Sequence, residues 1–490
     1  MIRLEPELTW LDGTFHRGVV VIVDPETGRI ADVAGPGKSS DGAAGAGPPA
    51  SPRVGPGRER DVRTVPLPGR ALLPGFVNTH SHAFQRLIRG RTHTRPAGRP
   101  NADFWSWREA MYAAALGLSA DDVYHVSRFC FLEMLKTGIT AVGEFHYLHH
   151  QPDGTPYADP NELAKRVAAA AREVGLRIAL LNVCYATGGI DKPLEDRQRR
   201  FRADSVASFL ERTTALEADV SASPEAGVDD GLVTVGVAPH SIRAVPRDWL
   251  PVLRDWAATR DAPLHMHVSE RPAEVAASEA AWGLRPVELL HADGLLDERL
   301  TLIHGIHLTD DEVARVGEAG AIVCACPTTE RGLGDGFVRG YDLLDAGARI
   351  ALGTDSHTSL DFLEEMRLIE HHERLQRLER VVITDAGRSG DHHRVAPELF
   401  EMATTAGARS LGLDAGAIEP GRLADLAAVD LDHISLAGWR DDTLAATIAL
   451  SATPDIVRDV WVGGLRRLWD RAHEAEAEIT GAFRSVARAR

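Results

Sequence analysis

The sequence predicts an α/β protein: a (β/α)8 TIM-like barrel with a small β-sandwich domain formed by both chain ends. Three observations predict it. Short apolar runs alternate with longer helical patterns about eight times between residues 74 and 411. Almost every apolar run ends in His, Glu or Asp, which is typical of barrels whose chemistry lies at the carboxyl ends of the strands. Both flanks of this region return to short strands and turns.

The two flanks predict the smaller domain. Residues 1–34 alternate apolar and polar side chains, as in GVVVIVDPETGRIADVAG, and a period of two indicates short antiparallel strands. Residues 35–62 are rich in Gly, Pro, Ala and Ser, so we expect a flexible surface excursion there. After residue 412 the pattern of strands and turns returns in GRLADLAAVDLD and DIVRDVWVGGLRRLWD. We therefore expect residues 1–73 and 412–490 to form one β domain beside a barrel of residues 74–411.

The barrel strands are predicted from the apolar runs in chain order. The early strands and helices correspond to LLPGFVNTH, DDVYHVSRFCFLEMLKTG, ITAVGEF, PNELAKRVAAAAREVG and LRIALLNV. The later strands correspond to LVTVGVAPH, APLHMHVSE, LTLIHGIH, AIVCACP and ARIALGTDSH. A doubly wound sheet is the competing architecture, but no G-x-G-x-x-G sequence follows the first strand. The parallel barrel is therefore favoured.

Composition limits the partners. The chain has 490 residues, a formal charge of −17 and 26% charged residues. This acidic balance argues against a nucleic-acid partner, although a few local arginines can still attract an anionic metabolite. The four cysteines form no C-x-x-C pair, so no disulfide framework is indicated. Because there is no apolar signal core and no run of 18 apolar residues, we expect a cytoplasmic protein without membrane contact. Separately, we expect a homodimer.

The stretch NTHSHAFQR places two histidines where the first barrel strand should end. In a strand, residues i and i+2 point to the same face, so His80 and His82 would project side by side. Such a pair can hold a metal ion, although a lone His-x-His is also common on surfaces and in cores.

Further His, Glu and Asp residues at other strand ends strengthen the prediction of a metal site. The strand APLHMHVSE supplies His265, His267 and Glu270, and later strands end at His304 and Asp355. Any one of these residues alone would be an ordinary hydrogen-bonded strand end. Because the carboxyl ends of all barrel strands meet at one rim, their coincidence predicts a metal centre.

The predicted ligands are His80, His82, one histidine of HMHVSE and Asp355. We choose His267 over His265 because it lies nearer the strand end. Three nitrogens and one oxygen suit one divalent ion, Zn²⁺ or Fe²⁺. Dinuclear sites of this layout bridge their ions with a carboxylated lysine at the end of the fourth strand. LRIALLNVCYAT contains no lysine, so a single ion is expected.

Three residues are predicted to carry the chemistry. Glu270 follows His267 by three positions and can take a proton from water and pass it to a leaving group. It could instead be a charge at the N-terminus of the helix that begins near RPAEVAASEAAWG. His304 is expected to hold the attacking water or to stabilise the oxygen of a tetrahedral intermediate. Asp355 is expected to bind the metal and to accept a proton.

These motifs carry a resemblance. H-x-H, HVSE, LIHG and GTDSH resemble the mononuclear deaminase branch of the amidohydrolase superfamily. More specifically, NTHSHAFQR, DFWSWREAMY, EFHYLHHQPDGTPYADP, APHSIRAV, CPTTERGLGDGF and GTDSHTSLDFLEEMR are similar to formimidoylglutamate deiminases. The resemblance implies hydrolysis of N-formimino-L-glutamate to N-formyl-L-glutamate and ammonia in histidine breakdown. The excursion at 35–62 and the stretch IEHHERL depart from the family's pattern.

The same resemblance implies the substrate-binding residues Gln85, Arg108, Tyr147, His240 and Arg243. The two arginines suit a small dicarboxylate substrate, because a guanidinium can bind a carboxylate through two hydrogen bonds. Arg108 could instead stack on Trp105 and Trp107, and Tyr147 could be rim packing.

Other functions remain open. An aminohydrolase of a nucleobase or a triazine-like ring, of the guanine or cytosine deaminase type, would keep the same metal ligands. The pocket of such an enzyme would bind its ring substrate through aromatic stacking and amide groups, in place of two arginines. A hydrolase of carbamoyl bonds would need the missing lysine. A catalytically inactive barrel that serves as an assembly scaffold would have no need of four ligands together with Glu270 and His304.

Overall fold

The computed structural model describes residues 1–35, 62–95, 98, 104–221, 231–384 and 393–490. The expected excursion at 35–62 therefore lies almost wholly outside the described residues. The strands of the end sheet are β1 (Ile2–Leu11), β2 (Thr14–Arg17), β3 (Val20–Asp24), β4 (Arg29–Ala34), β5 (Arg63–Pro74), β14 (Leu426–Asp430), β15 (Val457–Val462) and β16 (Leu465–Leu468). The barrel strands are β6 (Phe76–Ser81), β7 (Ile139–His146), β8 (Arg177–Cys184), β9 (Val233–Pro239), β10 (Leu264–Val268), β11 (Leu300–His304), β12 (Ile322–Ala325) and β13 (Arg349–Leu352).

Helices follow most of the barrel strands. In chain order they are α1 (Phe104–Gly117), α2 (Ala120–Lys136), α3 (Glu162–Val174), α4 (Val206–Ser221), α5 (Leu250–Arg260), α6 (Pro272–Trp282), α7 (Pro286–Ala292), α8 (Asp310–Ala319), α9 (Pro327–Leu333), α10 (Gly340–Asp345), α11 (Phe362–Arg377), α12 (Val395–Ala403), α13 (Thr405–Ser410), α14 (Leu444–Ser451) and α15 (Glu476–Ala489). Short 3-10 turns occur at Ala83–Ile88, Asp196–Phe201, Arg247–Trp249, Ile434–Leu436 and Pro454–Ile456.

The eight barrel strands pair in chain order and run parallel. The ring closes between its first and last strands, where the backbone N–H groups of Thr354 and Asp355 donate to the carbonyl of His80 at 3.1 and 3.0 Å. The Asn78 side chain adds to this seam, because its oxygen accepts from the Thr354 N–H at 3.0 Å. Since the strands are parallel, all eight carboxyl ends lie at one rim.

Local sequence explains why these elements form. Every residue of β7 and β8 is buried, which is typical of parallel strands covered on both faces. α3 buries Leu163, Val167 and Ala171, spaced by four, and ends at Gly175 with φ +79°. A residue with a side chain is strained in that left-handed conformation, so glycine terminates the helix there.

Both chain ends build the second sheet. Its order is β16-β15-β14-β5-β1-β3-β4, with β2 beside β1; β1 and β5 are parallel. One face encloses its own apolar cluster, which includes Leu4, Ile30 and Trp461, while the opposite face adds Leu8 and Leu73 to the large core shared with the barrel.

The predicted fold class is confirmed, since a parallel eight-stranded barrel lies beside a β structure made by both ends of the chain. The proposed domain boundaries at 73 and 412 stay a prediction. One assignment of a strand changes: LRIALLNV is the third barrel strand, β8, and not the fourth. The fourth strand, β9, is followed by His240 and also lacks a lysine.

Candidate active site

The strand ends at the carboxyl rim have unusual backbone conformations. Ser269, His304 and Asp355 have φ values of +53°, +73° and +45°. Residues other than glycine rarely adopt this conformation, and each such residue costs on the order of 1–3 kcal/mol. The three residues lie at or just after β10, β11 and β13. The strain therefore concentrates where the chain turns side chains toward the barrel axis.

Three imidazoles and one carboxylate meet at this rim. His80 Nε2 lies 3.2 Å from His267 Nε2. Asp355 Oδ1 lies 3.4 Å from the Nε2 atoms of both His80 and His82. Donor atoms arranged tetrahedrally around one Zn²⁺ would lie about 3.3 Å apart. The spacing of these four side chains therefore fits a single divalent ion.

The hydrogen bonds of the imidazoles support this fit. His82 Nδ1 lies 3.0 Å from the carbonyl of Phe145, and His267 Nδ1 lies 2.9 Å from the carbonyl of His240. Because a carbonyl only accepts, each Nδ1 carries the proton and each Nε2 presents a lone pair to the centre. Lone pairs that converge without a proton between them repel one another unless a cation lies among them. The donor set therefore suits a metal.

Burial favours the protonation state that a ligand needs. It lowers the pKa of His80, His82 and His267 below the ordinary value. The cause is the loss of water around the charged form. Neutral imidazoles are the form that binds metals.

The two histidines of HMHVSE make different contacts in the structure. Both lie on the same face of β10, but His265 is one layer deeper in the barrel, where its Nε2 lies 3.0 Å from the carbonyl of Ser410 on α13. His267 reaches the centre. The geometry thus places His267, and not His265, beside His80.

Glu270 and His304 stand next to the four candidate ligands. His304 Nε2 lies 3.9 Å from Glu270 Oε1 and 3.8 Å from Asp355 Oδ2. The other ring nitrogen, Nδ1, lies 3.2 Å from Glu330 Oε1. Burial lowers the pKa of His304, but the hydrogen bond to Glu330 and the charges of Glu270 and Asp355 outweigh it and raise that pKa to about 10. His304 is therefore flanked by the three carboxylates of Glu270, Glu330 and Asp355.

The centre opens into a chamber of about 60 Å³. A larger space of about 520 Å³, the vestibule, adjoins the chamber and shares five of its lining residues. The chamber is lined by His82, Gln85, Phe104, Trp107, Arg108, Met111, Tyr112, Tyr147, Tyr185, Phe201, His240, Arg243, His267, Glu270, His304, Leu333 and Asp355. The five residues predicted to bind substrate all lie in its wall.

Arg243 lies between the chamber and the vestibule. Its Nη2 is 3.8 Å from Glu270 and its Nε is 3.7 Å from Glu274, which is fully buried in the first turn of α6. These ion pairs are long, and no hydrogen bond reaches Nε. The guanidinium is therefore held near the centre with unused capacity to donate.

Arg108 lies on α1 above the chamber. Its guanidinium stacks on the ring of Tyr112, 5.0 Å from the centroid, and its Nη2 lies 3.5 Å from the hydroxyl of Tyr185. That hydroxyl accepts from Gln198 Nε2 at 2.8 Å. The sequence offered stacking on Trp105 and Trp107 for this arginine. The structure shows stacking on Tyr112, and the side chain of Trp105 lies outside the described residues.

Gln85 and Tyr147 form a polar pair in the opposite wall. Gln85 Nε2 donates to the Tyr147 hydroxyl at 2.9 Å, while Gln85 Oε1 is buried without a partner. His240 directly follows β9, and burial lowers its pKa well below the ordinary value. These groups offer acceptors and neutral donors at this end of the chamber.

Sequence reasoning missed several side chains that the structure places at the site. Tyr185 comes one residue after β8, so its place at a strand end was a usable signal. Glu330 lies in CPTTER, just beyond β12. Tyr112 is the last residue of DFWSWREAMY, one of the stretches that carry the family resemblance, so that stretch was a usable signal. Phe201 comes from a 3-10 turn far from any strand end, and nothing in the sequence pattern points to it.

A parallel barrel with convergent imidazoles and carboxylates at its carboxyl rim defines the class of barrel hydrolases. Comparison with known proteins then places the chain within that class. The model of the Amidohydrolase family matches residues 71–466, and the chain belongs to this family. The chain is a hydrolase that acts on C–N bonds.

The relatives are deaminases of several kinds. The chain is 37% identical over 420 residues to formimidoylglutamate deiminase of Pseudomonas aeruginosa, covering 85% of this chain and 89% of that protein. It is 32% identical to 5-methylthioadenosine/S-adenosylhomocysteine deaminase of Natronomonas pharaonis, covering 94% and 89%. It is 31% identical to 8-oxoguanine deaminase of Pseudomonas aeruginosa, covering 82% and 83%. Deamination is thus common to these relatives, whereas their substrates differ.

Solved structures share the fold. An amidohydrolase from Brucella melitensis superposes with a TM-score of 0.81 at 30% identity, covering 100% of this chain and 99% of that one. An adenosine deaminase from Xanthomonas campestris, solved with bound zinc, gives 0.78 at 24% identity, covering 100% and 99%. The second likeness concerns the fold alone.

Within the part of the chain that the structure describes, no helix is both long and apolar enough to cross a membrane.

Proposed function

We propose that the protein hydrolyses N-formimino-L-glutamate to N-formyl-L-glutamate and ammonia, a step of histidine breakdown. The observation that carries the proposal is Arg243, a guanidinium with an unbonded Nε beside Glu270 at the inner end of the vestibule. A buried cation of this kind suits a carboxylate on the substrate. The similarity to formimidoylglutamate deiminase supports the same substrate.

His80, His82, His267 and Asp355 would hold one divalent ion, for which we propose Zn²⁺, with Fe²⁺ as the alternative. A bound ion supplies positive charge that polarises the substrate and allows water to ionise near neutral pH. The carbonyls of Phe145 and His240 orient two of the imidazoles for this role.

Glu270 moves the proton. Its carboxylate faces the chamber, 3.9 Å from His304 Nε2. In the proposed reaction water adds to the amidine carbon, and Glu270 takes the proton that water loses. The bond from that carbon to its terminal nitrogen then breaks, and Glu270 returns the proton so that nitrogen leaves as ammonia. As this oxygen becomes the formyl carbonyl, Asp355 accepts the remaining hydroxyl proton, and His304 Nε2 lies where it can donate a hydrogen bond to the same oxygen.

The chamber walls orient the two ends of the substrate. Gln85 Oε1 is a buried acceptor without a partner, and an amidine N–H group would satisfy it. Arg243 and Arg108, at the side of the vestibule, would bind the carboxylates.

A second candidate is an aminohydrolase of a nucleobase or a triazine-like ring. The observation that favours it is the aromatic lining of the chamber, to which Phe104, Trp107, Tyr112, Tyr185 and Phe201 contribute. Planar rings stack on such walls. Two arginines in the same chamber weigh against it, because a neutral ring would leave Arg243 Nε without a hydrogen-bond acceptor.

Ammonia release tests the proposal directly. The zinc-loaded protein is assayed with formimino-L-glutamate, formimino-L-aspartate, guanine, cytosine, 8-oxoguanine and 5-methylthioadenosine, and the Glu270→Gln variant sets the background. We expect kcat/KM for formimino-L-glutamate to exceed that for each ring substrate by at least roughly 100-fold, because a site built to bind carboxylates rejects substrates that lack them. A ring substrate that is turned over faster would contradict the proposal.

A further inference from the structure

The short helix α9 carries a buried carboxylate with no part in the proposed reaction. Glu330 is 1% exposed. Its Oε1 accepts from the backbone N–H of Cys326 at 2.8 Å and lies 3.2 Å from His304 Nδ1. Its Oε2 has no hydrogen-bond partner. Burying a carboxylate is costly unless its contacts repay the cost, so the contact with His304 needs an explanation.

Anchoring the helix does not explain Glu330. α9 is already held by Glu365 of α11, which accepts from the Thr328 backbone N–H at 2.9 Å and from the Thr328 hydroxyl at 2.5 Å. The Thr329 hydroxyl adds a hydrogen bond to the carbonyl of Thr354 at 3.3 Å. The position of the helix is therefore secured by contacts that leave Glu330 out.

The contact with His304 does have a consequence at the chamber. A carboxylate only accepts, so Nδ1 of His304 donates its proton to Glu330. With Nδ1 held in this way, Nε2 is directed toward Glu270 and Asp355, at 3.9 and 3.8 Å. The hydrogen bond to Glu330 therefore holds the ring with Nε2 toward the chamber.

We propose that Glu330 is a positioning residue for the reaction, acting through His304 by holding the orientation of its ring and so the direction of Nε2. The inference rests on the proposed hydrolysis at this site but not on the identity of the substrate. The CPTTER segment contains none of the four candidate metal ligands and not Glu270. Glu330 is therefore the residue through which this segment would take part in the reaction.

A double-mutant cycle tests the inference. Glu330→Ala is compared with wild type and repeated in the His304→Ala background, using the zinc-loaded enzyme and whichever substrate of the panel releases ammonia fastest. We expect Glu330→Ala to lower kcat by roughly 10- to 100-fold, with KM and zinc content unchanged. In the His304→Ala background it should change kcat by less than about twofold, because the group through which it acts is gone. Glu330→Gln should retain more activity than Glu330→Ala, since its carbonyl oxygen still accepts.

The control is Glu365→Gln, which alters another fully buried carboxylate, one on α11 that accepts hydrogen bonds from Thr328 of α9. It should lower the melting temperature but keep kcat within about threefold of wild type. An equal loss of kcat from Glu330→Ala in both backgrounds, or from Glu365→Gln, would show a merely structural role and overturn the inference. No loss from Glu330→Ala would overturn it as well. If Glu330→Ala fails to fold, Glu330→Leu, which fills the space but cannot accept a hydrogen bond, takes its place in the cycle.

The same design separates this inference from the proposed function. If formimino-L-glutamate is not a substrate, the cycle is run on the ring compound that is, and its outcome still decides the role of Glu330. If formimino-L-glutamate is the best substrate and the cycle is additive, only the inference about Glu330 fails.

Discussion

Single residues around the chamber differ in how far their hydrogen-bonding capacity is used. His82 and His267 are satisfied on their outer nitrogens by backbone carbonyls. His80 Nδ1, Gln85 Oε1 and Arg243 Nε are buried without hydrogen-bond partners. Unsatisfied buried groups cost about 1–3 kcal/mol each. Their grouping at one chamber indicates that a ligand completes them.

Glu270→Gln tests proton transfer. The change keeps the size of the side chain but removes the base, so kcat should fall by roughly 10²- to 10⁴-fold. Zinc content should stay the same, because Glu270 is not among the proposed ligands. Steady-state ammonia release together with elemental analysis measures both. A variant that keeps the wild-type rate would move the base to Asp355 or to another group.

Arg243→Met and Arg108→Met test the proposed carboxylate contacts. Losing one charge-assisted hydrogen-bonded pair should cost about 2–4 kcal/mol in kcat/KM on formimino-L-glutamate. The loss should shrink on a substrate without the matching carboxylate, and lysine should rescue only in part.

The matched control for this test is Arg247→Met. Arg247 lies four residues from Arg243 but pairs with Asp293 outside the chamber, at 2.6 Å. It should leave kcat/KM within about threefold of wild type. Normal turnover by both Arg243→Met and Arg108→Met would show that the chamber does not bind a diacid in this way.

At the scale of elements, the period-two pattern predicted most of the site. His80 and His82 share a face of β6, and His265 and His267 share a face of β10, as the alternation of side chains requires. The pattern could not show that His265 would bond to Ser410 of α13. That contact depends on where a helix far along the chain packs, which local sequence does not determine.

Helical elements were harder to interpret. The roof over the chamber comes from α1, whose Trp107 and Arg108 follow no strand end. The third and fourth strands were miscounted because LRIALLNV and LVTVGVAPH are separated by a long stretch with its own helix, α4. Order along the chain was predictable, whereas the helix faces that reach the chamber depend on tertiary packing.

Two glycines within helices test packing between elements. A Cβ at Gly317 of α8 would collide with the backbone carbonyl of Ala346, whereas a Cβ at Gly481 of α15 would meet nothing within 4 Å. Gly481→Ala should raise the free energy of unfolding by about 0.5–1 kcal/mol, because alanine is the better helix former. Gly317→Ala should lower it by about 1–3 kcal/mol, because the collision outweighs that gain.

Denaturant unfolding of both variants measures the difference. Equal stabilisation of the two proteins would mean that α8 moves away from Ala346 at no cost.

At the scale of the whole molecule, the site belongs to no single segment. The proposed ligands come from the first, fifth and last barrel strands, and the seam between the first and the last depends on His80, Thr354 and Asp355. The barrel and the end sheet were predictable because both rest on repeated patterns. The size of the chamber was not predictable from the sequence, because it depends on how α1 and the loops pack over the rim.

Metal content tests this arrangement. Elemental analysis should find about one divalent ion per chain, and removing it with a chelator should abolish activity and lower the melting temperature, because the ion binds only the folded barrel. His267→Ala should lose the ion, whereas His265→Ala should keep it. Two tightly bound ions per chain, or loss of the ion from His265→Ala alone, would contradict the proposed ligand set.

The seam that closes the ring also has a consequence for protein synthesis. His80 and His82 leave the ribosome early, while Thr354 and Asp355 follow only after seven further barrel strands have been made. Until then the carbonyl of His80 lacks the two N–H groups that it accepts from in the finished protein, and the edge of β6 is open to wrong partners. The nascent chain can therefore bring the four candidate ligands together only when the residues after β13 arrive.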